Sequence, residues 1–370
     1  MRARSAAVRK DPVSSTMVRL KRLRDSLPGL FSQIPAGVWH RLVGTKVLLP
    51  YYHIVGDEPV AHVKHLYRFR SVAEFTADLD WLLSQFTSIS HDELLANRRT
   101  GAPLPKNPFH LTFDDGFRET ADCIAPILRA KGVHATFFLS SGFIDNQRLC
   151  HNEKTSLLME HLHTRTAGQQ LDKIEALLDA HGIPAGTLSA RFLSVQYPER
   201  EVLDEIARVI DCDFDHYLQA AKPYLSSDQV RGLLRDGFSI GAHGVDHPRF
   251  ATLSLDQQLQ QTQQSVDFLR QKFDLGEISF AFPHTETGVS KIFFERATRE
   301  ANVTAFFGTR GMMDDEISNL LQRFSMEKTS QPADWIVSKQ YARRCAQLLT
   351  GQSVVRRRSQ ESMEASKLPV

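Results

Sequence analysis

A chain of 370 residues, 42 % hydrophobic and 24 % charged, is long enough to bury a large core, which excludes wholesale disorder, collagen-like repeats and a disulfide-stapled scaffold. Its four cysteines are scattered with no C-x2-C pair, so neither a zinc ribbon nor a disulfide framework is expected. The net charge of +2 is uneven: residues 1–24 sum to +7, residues 343–370 to +4 and the 318 between them to −9, an acidic body without the basic face that nucleic acid requires.

Residues 1–45 read as a basic N-terminal extension. Leu20, Leu23, Leu27, Leu30 and Phe31 give it a helical period, which fits either a surface-docking helix or one packed on the outside of a barrel. Its charge makes peripheral contact with anionic lipid an open expectation. It lacks the apolar stretch of a secretory signal, and no run in the chain reaches the roughly 20 apolar residues that span a bilayer. A cytoplasmic protein, with membrane association through that basic end, is the resulting expectation.

From about residue 46 a strand–helix rhythm begins. KVLLPYYHI (46–54) is a buried-strand run, and residues 71–86 form a helix with Ser71 and Glu74 spaced as a capping box. FHLTF (109–113) predicts a strand, 117–130 a helix stopped by Gly132, and VHATFFLS (133–140) the next strand. Residues 145–225 interrupt the rhythm with helical patterns alone. Strands resume at 238–243, 278–282 and 303–308, with helices between them. The Gln-rich stretch 257–264 reads as a solvated helix face without a role. Beyond about 350 a disordered tail is expected. Alternating strands and helices predict a parallel α/β fold, a barrel over 46–335 with a helical insertion at 145–225, then a C-terminal helix and basic tail over 336–370.

Chemistry is expected where barrel strands end, because the following loops converge on one mouth. Three strand ends are unusual. HLTFDDGF sets Asp114 beside Asp115, and adjacent like charges imply either a bound cation or a shared proton, although Asp-Asp-Gly is also a common turn. SIGAHGVDHPRF sets His243 four residues before His247, a spacing that reaches one metal if the segment turns helically before Pro248. Two histidines and one aspartate form a three-ligand set with positions left for water and substrate, a catalytic rather than a closed structural arrangement. SFAFPHTETG ends a strand at Pro283 and His284, where a backbone N–H can face a developing oxyanion.

These motifs resemble the polysaccharide deacetylases of the NodB-homology class, carbohydrate esterase family 4. The TFDDG motif is complete at Thr112–Gly116. The H-[S/T]-x-x-H-P motif is matched by His243, His247 and Pro248, with Gly244 in place of Ser/Thr. The R-x-P-[Y/F] motif survives only as Pro283, with Ala281 and His284 in place of the arginine and the aromatic; a branch of the family with FAYP there also lacks the arginine. The L-x-H motif that supplies an acid is absent, since His284 is the last histidine of the chain.

The resemblance implies a distorted (β/α) barrel of NodB-homology type with fewer than eight strands, and a divalent metal, zinc before others, on Asp115, His243 and His247. Asp114 would be the base, the His284 backbone N–H an oxyanion donor, and an N-acetylated glycan or sugar precursor the substrate. The missing acid is assigned to the His284 side chain, with His53 or a held water as competitors. Pro283 and His53 are expected to touch substrate. Arg323 is a candidate to hold Asp114 in place of the missing arginine, Asp246 to orient an imidazole, and His110 to be structural. A catalytically impaired carbohydrate-binding barrel is the alternative. A magnesium phosphoryl-transfer site would leave the histidine pair unexplained.

Overall fold

The strand runs become β1 (Pro50–Tyr52), β2 (Leu111–Phe113), β3 (Ala135–Leu139), β4 (Ser239–Ala242), β5 (Ile278–Ala281) and β6 (Val303–Gly308), followed by β7 (Leu320–Gln322) and β8 (Phe324–Ser325). They belong to a computed structural model that describes residues 38–39, 43–44, 47–165 and 168–357. All pair in parallel, in the order β7-β6-β5-β4-β3-β2-β1-β8. Helices cover the outside and side chains fill the inside, so these strands read as continuous apolar runs.

The two ends of the sheet are one piece of chain. Leu320–Gln322 pair with Phe306–Gly308, whereas Phe324 and Ser325 pair with Pro50 and Tyr51. β7 and β8 are therefore successive halves of a single segment, bent at Arg323, and this segment closes the ring. The barrel sheet thus has eight strands rather than the expected fewer than eight, because the polar bend at Arg323 divides one segment into two strands that no apolar run marks.

Gly241 explains the interruption in β4: a Cβ there would collide with the Phe138 ring. Between β5, β6 and the helix Lys291–Glu300, Phe280, Phe282, Phe293, Phe294 and Phe306 stack with centroids 5.1–6.4 Å apart. Each buried ring contributes on the order of 1.5–3 kcal/mol.

The helix Val72–Gln85 carries the capping box at Ser71 and Glu74, and buries Phe75, Leu79 and Leu82. Leu83, counted in its apolar stripe, faces outward. The helix expected from residue 117 starts later, as a π turn, Thr120–Ile124, running into Ala125–Ala130. Pro126 has no N–H to donate, so a regular ladder cannot pass through it.

The insertion forms helices His151–Arg165, Gly168–Ala180, Leu188–Ser194, Glu201–Val209 and Phe214–Ala221. They share a core of their own, with Leu158, Ile174, Phe192, Leu203 and Ile206, which meets the barrel at Ile54, Phe117 and Tyr224.

The expected tail is partly docked. Val354–Val355 pair in parallel with Asp314–Asp315, and Arg357 Nη2 lies 2.8 Å from Asp315 Oδ2. A paired backbone and a buried guanidinium fix a stretch whose composition alone reads as disordered. The helical period of residues 20–31 and the remainder of the tail lie outside the described residues. Among the described residues no helix is long and apolar enough to cross a membrane.

Candidate active site

Asp114 and Asp115 leave the barrel at the end of β2. The Asp114 N–H still donates to Tyr52 O across the ladder (3.0 Å), after which Asp115 (φ 74°) and Gly116 (φ 77°) turn left-handed. Asp114 is buried, and Arg323 grips it from the closing segment, two places away in the ring beyond β1. Arg323 Nη1 donates to Oδ1 (2.7 Å) and Nη2 to Oδ2 (2.8 Å), while Nη1 also reaches Thr112 Oγ1 (2.9 Å). The guanidinium lies 4.9–5.8 Å from the ring centroids of Tyr51, Phe138 and Phe307. Burial alone would raise the Asp114 pKa, but Arg323, with His243 behind it, holds the carboxylate below its ordinary range. The arginine absent from the third motif is thus replaced from the closing strand, as the position of Arg323 predicts.

Asp115, His243 and His247 meet beside it. His243 Nδ1 donates to Ala281 O (2.8 Å), which leaves the Nε2 lone pair facing Asp115. His243 Nε2 is 3.3 Å and His247 Nε2 3.1 Å from Asp115 Oδ1. That oxygen is buried and, among the described residues, has no hydrogen-bond partner. One donor atom from each residue lies within 4.8 Å of the other two. An orphaned carboxylate oxygen and an inward lone pair fit a divalent cation. Tyr67 OH donates to Asp115 Oδ2 (3.4 Å).

The histidine segment does not turn helically, contrary to the spacing argument. Gly244 (φ 79°) and His247 (φ 56°) are left-handed, and this double bend brings both imidazoles to one point. A left-handed histidine is uncommon and costs on the order of 1–3 kcal/mol, so the loop has to be held. Gln261 Oε1 accepts from the N–H groups of Val245 (2.9 Å) and Asp246 (3.0 Å), and Gly244 O accepts from Ser141 N–H (3.0 Å). Asp246 accepts from Tyr197 OH and Gln261 Nε2, both 2.8 Å, and pairs with Arg148. Asp246 therefore pins the loop rather than an imidazole. Gln261, from the stretch read as solvated, is a structural brace. The insertion sends Asn152 to within 3.4 Å of His247 Nδ1.

At the mouth, His53 and Glu327 face each other at the ends of β1 and β8. His53 Nδ1 donates to Glu327 Oε2 (2.7 Å), and Glu327 Oε1 accepts from the backbone N–H groups of His53 (3.0 Å) and Ile54 (3.3 Å). Burial would push His53 down, but Glu327 outweighs it and raises the pKa to about 9. His284 (φ 58°) packs its ring 4.7 Å from that of His247. Withdrawal from water, then the charges of His247, Arg249 and His151, push its pKa well below the usual value although part of the residue remains exposed. Pro283 is buried beneath it. His53, Tyr67, Glu327 and His284 line one cavity of about 870 Å³. His110 lies away from this mouth, fully buried, with Nδ1 on Ile89 O and Nε2 on Thr136 Oγ1 at 2.8 Å each, and is structural.

Residues 101–306, more than half of the chain, match the family described as polysaccharide deacetylase, and the chain belongs to that family. Among solved structures it is similar to the deacetylase PplD of Streptococcus pyogenes, in complex with acetate, at 14 % identity and TM-score 0.52, over 80 % of this chain and 98 % of that one. IcaB of Ammonifex degensii is similar at 15 % identity and TM-score 0.50, over 80 % and 97 %. A de-N-acetylase from Aggregatibacter actinomycetemcomitans is similar at 14 % identity and TM-score 0.50, over 79 % and 99 %. At such identities the likeness establishes the barrel fold. No curated protein matches the chain.

Proposed function

We propose that this site is a metal-dependent hydrolase that removes N-acetyl groups from a glycan or glycan precursor. The reading rests on one juxtaposition: an ionised, arginine-held Asp114 beside a His-His-Asp donor set whose atoms lie within 4.8 Å of one another. Asp115, His243 and His247 would hold the ion, with zinc favoured by an imidazole-rich set. When bound, a divalent cation supplies Lewis acidity at the acetamide carbonyl and makes water easier to deprotonate.

The chain's own groups do the rest. Asp114 accepts the proton of the attacking water. Among the described residues nothing accepts the His284 backbone N–H, which is free to donate to the oxyanion developing on the acetamide oxygen. The amine must leave protonated. His53 suits that role better than the His284 side chain, because Glu327 holds it as an imidazolium at the mouth, whereas His284 faces cations and imidazoles. The products are acetate and a free amino sugar.

The direct test is acetate release, with the matching loss of an acetyl mass, from a panel of N-acetylated sugars incubated with zinc-loaded protein. Acetate from none of them sinks the hydrolase reading and leaves the binding barrel. His247→Ala is expected to weaken zinc binding by more than about 100-fold, beyond the cost of losing a supporting residue. Stoichiometric metal in this variant, measured by mass spectrometry of the protein digest, would remove His247 from the ligand set.

Glu327→Gln tests the acid. The raised pKa of His53 makes its pairing fully stabilising below the ordinary 6.5 and lost as pH rises through about 9. Without the Glu327 charge, burial is opposed only by Asp115 and Asp114, so the basic limb of kcat/KM should move down from near 9. An unmoved limb would exclude His53 as the proton donor.

A further inference from the structure

We infer that the N-acetylated sugar acted on at this mouth carries a phosphate or diphosphate group, bound by basic side chains on the rim. The inference rests on the deacetylase reading and names its substrate class. The cavity beside His53 and His284 is lined by Arg68, Arg249, Arg310, Lys328 and Arg343, against a single carboxylate, Glu327. Glu327 is already spent on His53 and two backbone N–H groups. Arg68 is paired with Glu74. Among the described residues no carboxylate pairs with Arg249, Arg310, Lys328 or Arg343.

Three observations separate this rim from ordinary surface charge. The background is of the opposite sign, since residues 25–342 sum to −9. The four unpaired cations come from four different places: the loop after His247, the end of β6, the turn after Glu327 and the helix Ala333–Leu349. A run of basic residues in one segment is usually a solvated face, but convergence from separate segments on one concavity concentrates field there. The contrast inside the molecule is direct: a cavity of about 570 Å³ among the insertion helices carries four aspartates against three cations. A neutral glycan chain gains nothing from uncompensated cations, which repel one another and stay hydrated. A single carboxylate would answer one of them. A phosphate ester offers multiple charges and acceptor oxygens, and guanidinium forks match it bidentately.

The test uses the zinc-loaded full chain and N-acetylglucosamine in four forms: the free sugar, its anomeric phosphate, a nucleotide diphosphate ester and a short prenyl diphosphate ester in detergent. An N-acetylated uronate is added as a carboxylate control. At low salt, kcat/KM is expected to be at least about 10-fold higher for a phosphorylated form than for the free sugar, and to fall with added salt. Whether the nucleotide or the prenyl ester is best tells a soluble source from a lipid-borne one, and either supports the inference. The double variant Arg310→Gln/Arg343→Gln should reduce the phosphorylated-to-neutral ratio by about 10-fold, since both side chains are exposed and, among the described residues, carry no partner whose loss would unfold the rim. Equal kcat/KM for all forms, a preference for the uronate, or an unchanged ratio in the double variant overturns it. If no form releases acetate, the deacetylase reading fails. Calorimetric affinity for the anomeric phosphate against the free sugar, in wild type and double variant, then still decides the phosphate inference separately.

Discussion

Asp114→Asn is expected to retain zinc and to lose turnover by about 100-fold or more, the scale of a missing general base. The amide keeps the size of the carboxylate and can still meet Arg323 through its oxygen, but it cannot take a proton from water. Asp115 is different in kind. Its Oδ1 is the buried oxygen without a partner, between two imidazoles 3.1 and 3.3 Å away, so Asp115→Asn should weaken the metal first and activity in consequence. The pair of variants therefore divides two adjacent carboxylates into a proton acceptor and a ligand. Zinc stoichiometry measured on both proteins, alongside kcat on one active substrate, makes the division visible. Equal zinc loss in the two variants would make both aspartates ligands and leave the reaction without the base assigned here.

The barrel was legible because its strands are buried on both faces and read as unbroken apolar runs, and the donor set because TFDDG and the paired histidines stand at strand ends. What stayed hidden is polar and non-local. The segment 320–325 contains Gln322 and Arg323, which spoil an apolar strand pattern, yet both are buried in the barrel, Gln322 donating to Glu286 Oε1 (3.0 Å). Glu327 stands 274 residues from His53, and no spacing rule connects them. The spacing of the two histidines suits either a helical turn or a bent loop, and only the left-handed Gly244 and His247 distinguish the two. A Gln-rich helix looks uniformly solvated in sequence, while the face of it that carries Gln261 meets the loop after β4 and makes specific bonds. In each case the missing information was which side chain is answered by a distant backbone or charge.

Arg323→Met should be the most damaging single change on stability, and its pH dependence is diagnostic. Arg323 is wholly buried at the bend that closes the ring, and 209 residues separate it from Asp114. Removing it leaves a buried carboxylate without its counter-charge, a loss of about 3–5 kcal/mol for a broken buried pair. In the wild type the folded pKa of Asp114 lies below the ordinary 3.8, so its contribution is present above that value and disappears as pH falls through the folded pKa. In the variant burial prevails, the folded pKa rises above 3.8, and the folded state loses stability as pH climbs towards neutrality. The stability gap between the two proteins should consequently be wide at pH near 7 and narrow once pH has fallen through the folded pKa of wild-type Asp114, below which both carry it protonated. Denaturant unfolding at the two pH values measures the gap directly. The acid limb of kcat/KM should move upward in parallel, because a protonated Asp114 accepts nothing. Arg323→Lys keeps the charge but not the two-pronged fork and should fall between the two. A gap of the same size at both pH values would mean that Arg323 serves only to fill the bend between β7 and β8, and that Asp114 is held ionised by something else.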